Sequence, residues 1–303
     1  MFLEPALREG ELKSNGYTLS MKPERLGWLT PSDPAEPLET LRKRYQQDGY
    51  LWLKNFLSRQ VVLDFRRRFF TAVAGTGLLA PGSDLEEGIF SGEEDVQAVN
   101  RVLMEFVRSA AYESFCLMEP IWRFYDAFLE GSSYLHKRKI LRHNCPNDPS
   151  TTGAHYDLIY LRGGTDRLCT SWIPIGDIPV EMGGLVYLDG SDARGRQIEA
   201  EFTLQNSHLP PQERVNAYNK NMGKNGWLTK DVPALADRLD ARWLLANYSA
   251  GDMVVHSPYM IHASTMNIDP QGRIRLSTDI RYQRVSDEID PRWTNHWSLD
   301  DML

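Results

Sequence analysis

Two short segments of this sequence carry side chains that suit metal chemistry. Among the seven histidines, His155 stands two residues before Asp157 in a β-prone run, and alternate side chains of an extended chain point to the same side. His262 follows a turn, a strand and a bend that contains Pro258. An imidazole and a carboxylate on one face are good metal ligands. A histidine and an aspartate at this spacing also occur by chance, however, and His262 alone is more typical of a core histidine than of a metal ligand.

The segment after His262 alternates polar and apolar residues. Arg273, Arg275 and Arg281 share one face with Ser277 and Asp279, whereas the other face is mostly apolar. This alternation predicts a half-buried strand. Its polar face could be a solvated barrel exterior. An arginine turned inward would instead bind a carboxylate through two parallel hydrogen bonds, and the sequence leaves both interpretations open.

The composition narrows the class of protein. The 303 residues are 42% hydrophobic and 25% charged, which is typical of a folded globular chain. The net charge of −7, with no long basic stretch, disfavours nucleic acid as a partner. The longest run without a charged residue, 253–268, is broken by His256 and Pro258, so the sequence predicts no membrane span.

Cysteine usage and the first residues add two expectations. The chain has three cysteines and no CxxC pair, which disfavours a disulfide framework and a cysteine-based zinc site. A metal centre would therefore use histidine and carboxylate ligands. Glu4, Arg8 and Glu9 occupy the place of the apolar core of a signal peptide, so we expect a cytoplasmic protein.

The N-terminal third predicts helices around one early strand. A helix ends at Asp48-Gly49, strand 50–53 follows, and Ser58 begins a second helix with an apolar stripe. Further helical patterns cover 96–107 and 112–129, the latter bent at its internal proline. The run 66–68, which is three arginines, is expected to form a solvated helix face.

The pattern changes at about residue 135 to short β-prone runs separated by turn residues. These candidate strands are 139–142, 158–161, 168–175, 185–188, 243–247, 253–256 and 274–282. Many short strands of this kind predict a mainly β fold with helices, either a barrel or a two-sheet jelly roll. We therefore expect a single domain, 1–303. Its parts would be a mostly helical buttress (1–134), a jelly-roll core (135–285) with a lid insertion at about 190–242, and a C-terminal tail (286–303).

The order of these motifs resembles a known family. His155-x-Asp157, then His262, then Arg273 eleven residues later is similar to the iron(II)- and 2-oxoglutarate-dependent dioxygenases, specifically the phytanoyl-CoA dioxygenase family. Four other segments also resemble that family, in the expected order from about Asp48 to Tyr282. They are 48–57, 172–175, 183–191 and 251–252.

The resemblance implies a double-stranded β-helix (jelly roll, cupin-like) core and a specific chemistry. His155, Asp157 and His262 would bind Fe(II) as the catalytic metal ligands, leaving positions open for 2-oxoglutarate and O2. The expected reaction is hydroxylation, or another oxygenative outcome such as desaturation, of a small organic substrate such as a secondary metabolite. The Asp157 carboxylate argues against halogenation, because halogenating relatives lack it.

The same resemblance implies which residues bind the cosubstrate. Arg273 is the arginine at the family spacing, and Arg275 competes with it because both share a face. Arg142 and Thr170 are further candidates for contact with 2-oxoglutarate or substrate. We expect no nucleic acid or membrane partner, and a homodimer is compatible with the sequence.

Two other classes of function remain open at this point. The same three ligands would suit zinc in a hydrolase or isomerase, which would not need Arg273. In a non-catalytic β-sandwich binding module, His155, Asp157 and His262 would be unrelated core residues. The sequence does not identify the substrate, although the net charge of −7 mildly disfavours a polyanionic coenzyme A ester.

Overall fold

A computed structural model describes residues 11–211, 213–214 and 226–298. Most of the strands that it contains follow the helical N-terminal region. In chain order, the strands are β1 (Lys13–Ser14), β2 (Tyr17–Thr18), β3 (Leu26–Trp28), β4 (Pro31–Ser32), β5 (Tyr50–Leu53), β6 (Ser133–Leu135), β7 (Ile140–Asn144), β8 (Leu168–Pro174), β9 (Leu185–Leu188), β10 (Trp243–Leu245), β11 (Met253–His256), β12 (His262–Ser264) and β13 (Arg275–Arg284).

Five of the described helices precede β6 and three lie between the later strands. They are α1 (Leu38–Asp48), α2 (Arg59–Val73), α3 (Val96–Val107), α4 (Ala110–Cys116), α5 (Glu119–Phe128), α6 (Leu158–Leu161), α7 (Ser191–Gln205) and α8 (Val232–Leu239). Within the described ranges, none is both long and apolar enough to cross a membrane.

The long strands form two sheets that face each other. The major sheet has the order β4-β5-β11-β8-β13-β6, with β7 also paired to β13, and the minor sheet has the order β12-β9-β10-β3. No pairing between described strands joins the two sheets into a closed barrel. The architecture is therefore a jelly-roll sandwich with helices against the outer face of the major sheet.

Alternation along the major sheet separates two environments. On β8, Thr170 and Trp172 point between the sheets, whereas Cys169 and Ile173 point outward into the apolar cluster formed with the helices. Helix α2 contributes Phe65 to that outer cluster, as its predicted stripe requires. Because side chains alternate along a strand, one set of strands serves both the helical buttress and the interior of the sandwich.

Three sequence expectations are wrong in detail. Leu158–Leu161 is a helical turn and not a strand, since four apolar residues are too few for periodicity to separate the two. The pattern 112–129 is two helices, α4 and α5, and Pro120 lies in the first turn of α5, where proline is tolerated, so it does not bend a helix interior. Strands β3 and β4 were not predicted in the helical region. Both pair in parallel with strands of the sheets.

The predicted lid insertion, about 190–242, contains α7 and α8. Residues 212 and 215–225 of that segment lie outside the described residues, and the lid role remains a prediction. The predicted C-terminal tail contributes Trp293, which is 2% exposed in a short 3₁₀ turn (Pro291–Thr294).

The arginine run on α2 is not a uniformly solvated face. Arg66 is 5% exposed, and its guanidinium donates hydrogen bonds to the backbone carbonyls of Glu86, Glu87 and Ile175 at 2.6, 2.8 and 2.9 Å. Burial lowers the pKa of Arg66 to about 10, so it stays charged at neutral pH. Arg66 therefore ties α2 to the 86–87 loop and to the end of β8, while Arg67 and Arg68 are exposed as expected.

We expect Arg66→Ala to lower the free energy of unfolding by about 3 kcal/mol, because it leaves buried carbonyls without donors. Arg68→Ala on the same helix should stay close to wild type. Urea denaturation of both variants and the wild type measures the difference. Equal stability of the two variants would show that the Arg66 contacts contribute nothing net.

Candidate active site

The two candidate histidines meet through their backbones. His155 and His262 form an isolated antiparallel bridge, with N–H to carbonyl distances of 3.0 and 2.9 Å in the two directions. His262 is also in register with Tyr187 of β9, so the three residues form a row across the minor sheet. The two imidazole centroids are 4.3 Å apart. Backbone pairing thus brings together two residues that are far apart in the sequence.

Hydrogen bonds orient both imidazoles in the same way. The Nδ1 atom of His155 lies 2.9 Å from the carbonyl of Gly153, and that of His262 lies 3.0 Å from the carbonyl of Met260. A carbonyl only accepts, so each Nδ1 carries the proton and each Nε2 presents a lone pair. Backbone carbonyls commonly orient metal-ligating histidines in this manner.

Asp157 lies between the two sheets, and each of its carboxylate oxygens faces a different sheet. Its backbone is helical (φ −67°, ψ −30°), because the chain turns into α6 there and is not extended as the sequence predicts. The Oδ2 atom accepts hydrogen bonds from Thr170 at 2.5 Å and from Arg281 at 3.0 Å. Thr170 is in register with Arg281 on one side and His256 on the other, so these contacts come from one row of the major sheet.

The other oxygen of Asp157 is buried without a hydrogen-bond partner. This Oδ1 atom lies 3.8 Å from the Nε2 atoms of both His155 and His262. A bare carboxylate oxygen in the interior is costly unless a cation or a donor occupies the space beside it. The three donor atoms therefore mark a position that calls for a cation.

His256 contacts the carboxylate of Asp157 at Oδ2, the oxygen that does not face the two candidate histidines. Its Nε2 lies 3.4 Å from Oδ2 of Asp157, and its Nδ1 lies 3.1 Å from the hydroxyl of Tyr187. A carboxylate only accepts, so Nε2 donates to it and Nδ1 accepts from Tyr187. This histidine is fully buried and its nitrogens are both engaged, which makes it a neighbour of the triad and not a fourth ligand.

The protonation states also suit metal binding. Burial lowers the pKa of His155, and burial with the neighbouring histidines holds the pKa of His262 well below its usual range, so both are neutral at neutral pH. Burial alone would raise the pKa of the Asp157 carboxyl, but Arg281 and the hydrogen bond from His256 hold it well below its usual range. Two neutral imidazoles and one carboxylate are the forms in which these groups bind metal.

The donor set fits iron(II). The three ligand atoms all lie within 4.8 Å of one another and are buried. Two histidines and one carboxylate on one face, with adjacent positions open, form the ligand set of non-haem iron(II) oxygenases.

A second group of possible ligands, Glu94, His143 and Cys145, fits a metal less well. His143 and Glu94 already satisfy each other at 2.7 Å, and burial raises the pKa of the Cys145 thiol to about 12. Metal binding needs the thiolate, so we interpret this group as a hydrogen-bonded pair beside α3.

Comparison with known proteins decides between the remaining classes. The sequence profile described as phytanoyl-CoA dioxygenase matches residues 45–275, which is most of the chain and contains the triad. The chain belongs to the phytanoyl-CoA dioxygenase family. It is an iron(II)- and 2-oxoglutarate-dependent dioxygenase, so the zinc hydrolase or isomerase and the binding module are set aside.

Two curated relatives carry the same name. The chain is 25% identical over 257 residues to 1-deoxypentalenic acid 11-beta-hydroxylase of Streptomyces arenae, and 23% identical over 260 residues to the Streptomyces exfoliatus protein. Both matches cover 82% of this chain and 82% of the relative.

Solved structures support the fold. The epimerase SnoN in complex with Fe3+, alpha ketoglutarate and nogalamycin RO aligns at a TM-score of 0.55 and 18% identity, covering 86% of this chain and 88% of SnoN. EctD from S. alaskensis with bound Fe aligns at 0.53 and 14% identity, covering 91% and 89%. The predicted jelly-roll core is confirmed.

The family arginine candidates occupy different environments. Arg275 is 1% exposed and faces between the sheets, where it donates to Ser277 at 3.2 Å and to the side chain of Asn144, while its Nε has no partner. Arg273 precedes β13 and is partly exposed. Its guanidinium donates to both carboxylate oxygens of Asp269 at 3.0 and 2.6 Å. It lines a surface cleft that includes none of the triad residues.

The other predicted contact residues lie on the inner surface but have protein partners. Arg142 donates through Nε to Asp279 at 2.9 Å, and Thr170 donates to Asp157. Arg281 was not among the predicted site residues, although it contacts Asp157. The alternation that placed Arg273 and Arg275 on one face of the strand also placed Arg281 there, so the signal was present in the sequence.

We expect His155→Ala, Asp157→Ala and His262→Ala each to abolish stable iron(II) binding while leaving the protein folded, because each removes one of the three candidate ligands. Anaerobic equilibrium dialysis measures the iron, and circular dichroism checks the fold. His208→Ala, at an exposed histidine, is the control and should retain full occupancy. A triad variant with wild-type iron content would remove that residue from the ligand set.

Proposed function

We propose that the protein hydroxylates a small organic secondary metabolite, with His155, Asp157 and His262 holding iron(II). The observation that carries the proposal is the bare, buried Oδ1 of Asp157 at 3.8 Å from two oriented Nε2 atoms. Hydroxylation and the class of substrate are supported by the names of the curated relatives, which are hydroxylases of 1-deoxypentalenic acid. Two structural neighbours, SnoN and the carbocyclase SnoK, come from nogalamycin biosynthesis.

In this proposal the protein supplies placement and the exclusion of water. His155, Asp157 and His262 would hold iron(II), and the bound metal would supply the oxidative chemistry in which 2-oxoglutarate is decarboxylated to succinate and carbon dioxide and one oxygen atom of O2 goes to the substrate. The carbonyls of Gly153 and Met260 keep the two imidazoles in one tautomer, so their Nε2 atoms point at the shared site. Arg281, Thr170 and His256 keep Asp157 ionised and fix its rotation. A set of two histidines and one carboxylate would leave positions on the metal for 2-oxoglutarate and O2.

For the cosubstrate, we propose that Arg275 binds the distal carboxylate of 2-oxoglutarate. Arg275 is buried, faces the interior and has an unpartnered Nε, whereas Arg273 is already paired with Asp269. Two residues along a strand add about 6.6 Å, so Arg275 also lies one repeat closer than Arg273 to the Thr170 row. Trp172 lies on the same inner surface, and its indole Nε1 is buried without a partner. Two unpartnered donors on this surface are suited to a ligand with carboxylate oxygens.

Arg275→Ala should weaken 2-oxoglutarate binding by about 2 to 5 kcal/mol, the cost of leaving a buried carboxylate without its partner. Arg273→Ala is the matched control, one strand repeat away, and should have a much smaller effect. The dissociation constant for 2-oxoglutarate is measured anaerobically in the presence of iron(II). A larger effect in Arg273→Ala would restore the assignment that the eleven-residue spacing favours.

The anaerobic complex of protein, iron(II) and 2-oxoglutarate should show a weak visible charge-transfer band that metal or acid alone lacks. Zinc in place of iron should give no band. Admission of air should then release succinate slowly, and Asp157→Ala should lose both signals. Iron-loaded wild-type protein that shows neither the band nor succinate would contradict the proposed site.

A further inference from the structure

Helix α7, in the predicted insertion, packs against the bend that leads to His262. The hydroxyl of Ser191 accepts a hydrogen bond from the backbone N–H of Ile261 at 3.0 Å. Gly195 lies so close to the backbone carbonyl of Tyr259 that a β-carbon at this position would overlap it. The first turns of α7 therefore fix the bend from which His262 enters β12.

The second half of the same helix contacts the segment that carries the other two candidate ligands. Glu199 is 9% exposed, and its Oε1 accepts a hydrogen bond from Nε of Arg162 at 2.6 Å. Its Oε2 accepts from Nη2 of Arg162 at 2.8 Å and from the hydroxyl of Tyr156 at 2.7 Å. Tyr156 stands between His155 and Asp157 in the chain and is fully buried. One buried carboxylate on α7 thus binds the neighbour of two candidate ligands.

Tyr156 and Arg162 lie on either side of the turn that begins at Asp157. Arg162 follows the last residue of α6, and its Nη1 also donates to the carbonyl of Ile159 within that helix at 3.0 Å. Burial, together with the nearby Glu199, raises the pKa of Tyr156, so its hydroxyl stays protonated and donates. The Glu199 carboxylate therefore ties together the two ends of the turn.

The two ligand segments are also joined to each other. The backbone N–H of Leu158 donates to the carbonyl of Pro258 at 2.8 Å, so the turn after Asp157 contacts the bend before His262 directly. Helix α7 contacts both segments from outside the site. Since Oδ1 of Asp157 has to reach the same position as the Nε2 atoms of the histidines, a movement of the turn relative to the bend would separate the ligand atoms.

We propose that Glu199 is a positioning residue for the metal site, which fixes the turn that carries Asp157 through Tyr156 and Arg162. The inference rests on the proposed function and adds to it a residue behind the ligand segments, on the helix that also holds the bend before His262. A carboxylate that accepts two parallel hydrogen bonds from an arginine is held in one geometry. Without the charge on Glu199, the buried guanidinium would lie beside a neutral group, and the turn would relax around it.

The test compares Glu199→Gln, Tyr156→Phe and the wild type. Glutamine keeps the size of the side chain but removes its charge, and phenylalanine removes only the hydroxyl. Glu201→Gln is the matched control, because Glu201 is an exposed glutamate on the same helix. Anaerobic equilibrium dialysis gives the dissociation constant for iron(II). The position of the visible band of the complex with iron(II) and 2-oxoglutarate reports the coordination of the metal, and urea denaturation reports the stability of the metal-free protein.

We expect Glu199→Gln to weaken iron(II) binding by about 10- to 100-fold, the range for groups that orient metal ligands, and to shift the visible band. Tyr156→Phe should change both in the same direction and by less, because the arginine pair remains. Glu201→Gln should match the wild type in both measurements. A purely structural contact would lower the stability of the metal-free protein and leave the affinity and the band of the folded protein unchanged.

Wild-type iron(II) affinity and an unshifted band in folded Glu199→Gln would overturn the inference, whatever its stability. Equal losses in Glu199→Gln and Glu201→Gln would also overturn it, because they would point to the charge of the helix and not to the buried contact. If Glu199→Gln does not fold, Tyr156→Phe decides, and wild-type affinity in that variant would overturn the inference. Wild-type protein that binds no iron(II) contradicts the proposed function and this inference with it, whereas a wild-type band that persists unshifted in Glu199→Gln contradicts only the inference.

Discussion

The site depends on one buried carboxylate that two sheets share. Asp157 is 1% exposed, and its two carboxylate oxygens have different neighbours. Oδ2 is neutralised by donors from one row of the major sheet, and Oδ1 faces two imidazoles held by the minor sheet. An ionised carboxylate in the interior is tolerable only when both oxygens have partners. The packing distance between the sheets therefore also sets the position of the metal site.

This requirement explains why the interior of the sandwich is uneven. At one place the facing surfaces are apolar and aromatic, with Trp52, Tyr248 and Leu244 packed together in an apolar cluster. Around Asp157 the same two surfaces carry charged and hydroxyl side chains. The apolar cluster supplies hydrophobic stabilisation, and the polar part is compatible with folding because most of its groups are paired. Polar atoms without a partner on Asp157, Trp172, Arg275 and Arg281 lie on this inner surface.

The sequence predicted what depends on local pattern and missed what depends on register. Alternation and turn residues were enough for the strands β9 and β11, whose bounds agree with the structure. The convergence of His155, Asp157 and His262 was expected from a motif and a family resemblance. The reason given for it, an extended chain through Asp157, was wrong, because the carboxylate reaches the site from a helical turn. The contribution of Arg281 required the pairing of β13 with β8, which no single strand contains.

At the start of β13, the residue spacing from His262 and the strand register favour different arginines. Counting eleven residues from His262 arrives at Arg273, but Asp269 in the same connection forms a two-point ion pair with that arginine, and the pair keeps its guanidinium at a surface cleft. Two residues later the strand is paired with β7, and Arg275 stands opposite Asn144 in that ladder, so its side chain is carried between the sheets. A residue count measures distance along the chain, whereas the ladder decides which face a side chain takes and how far along the sheet it stands. Where a connecting segment carries its own acidic partner for one arginine, the next arginine on the same face is the one left with hydrogen-bonding capacity for a ligand.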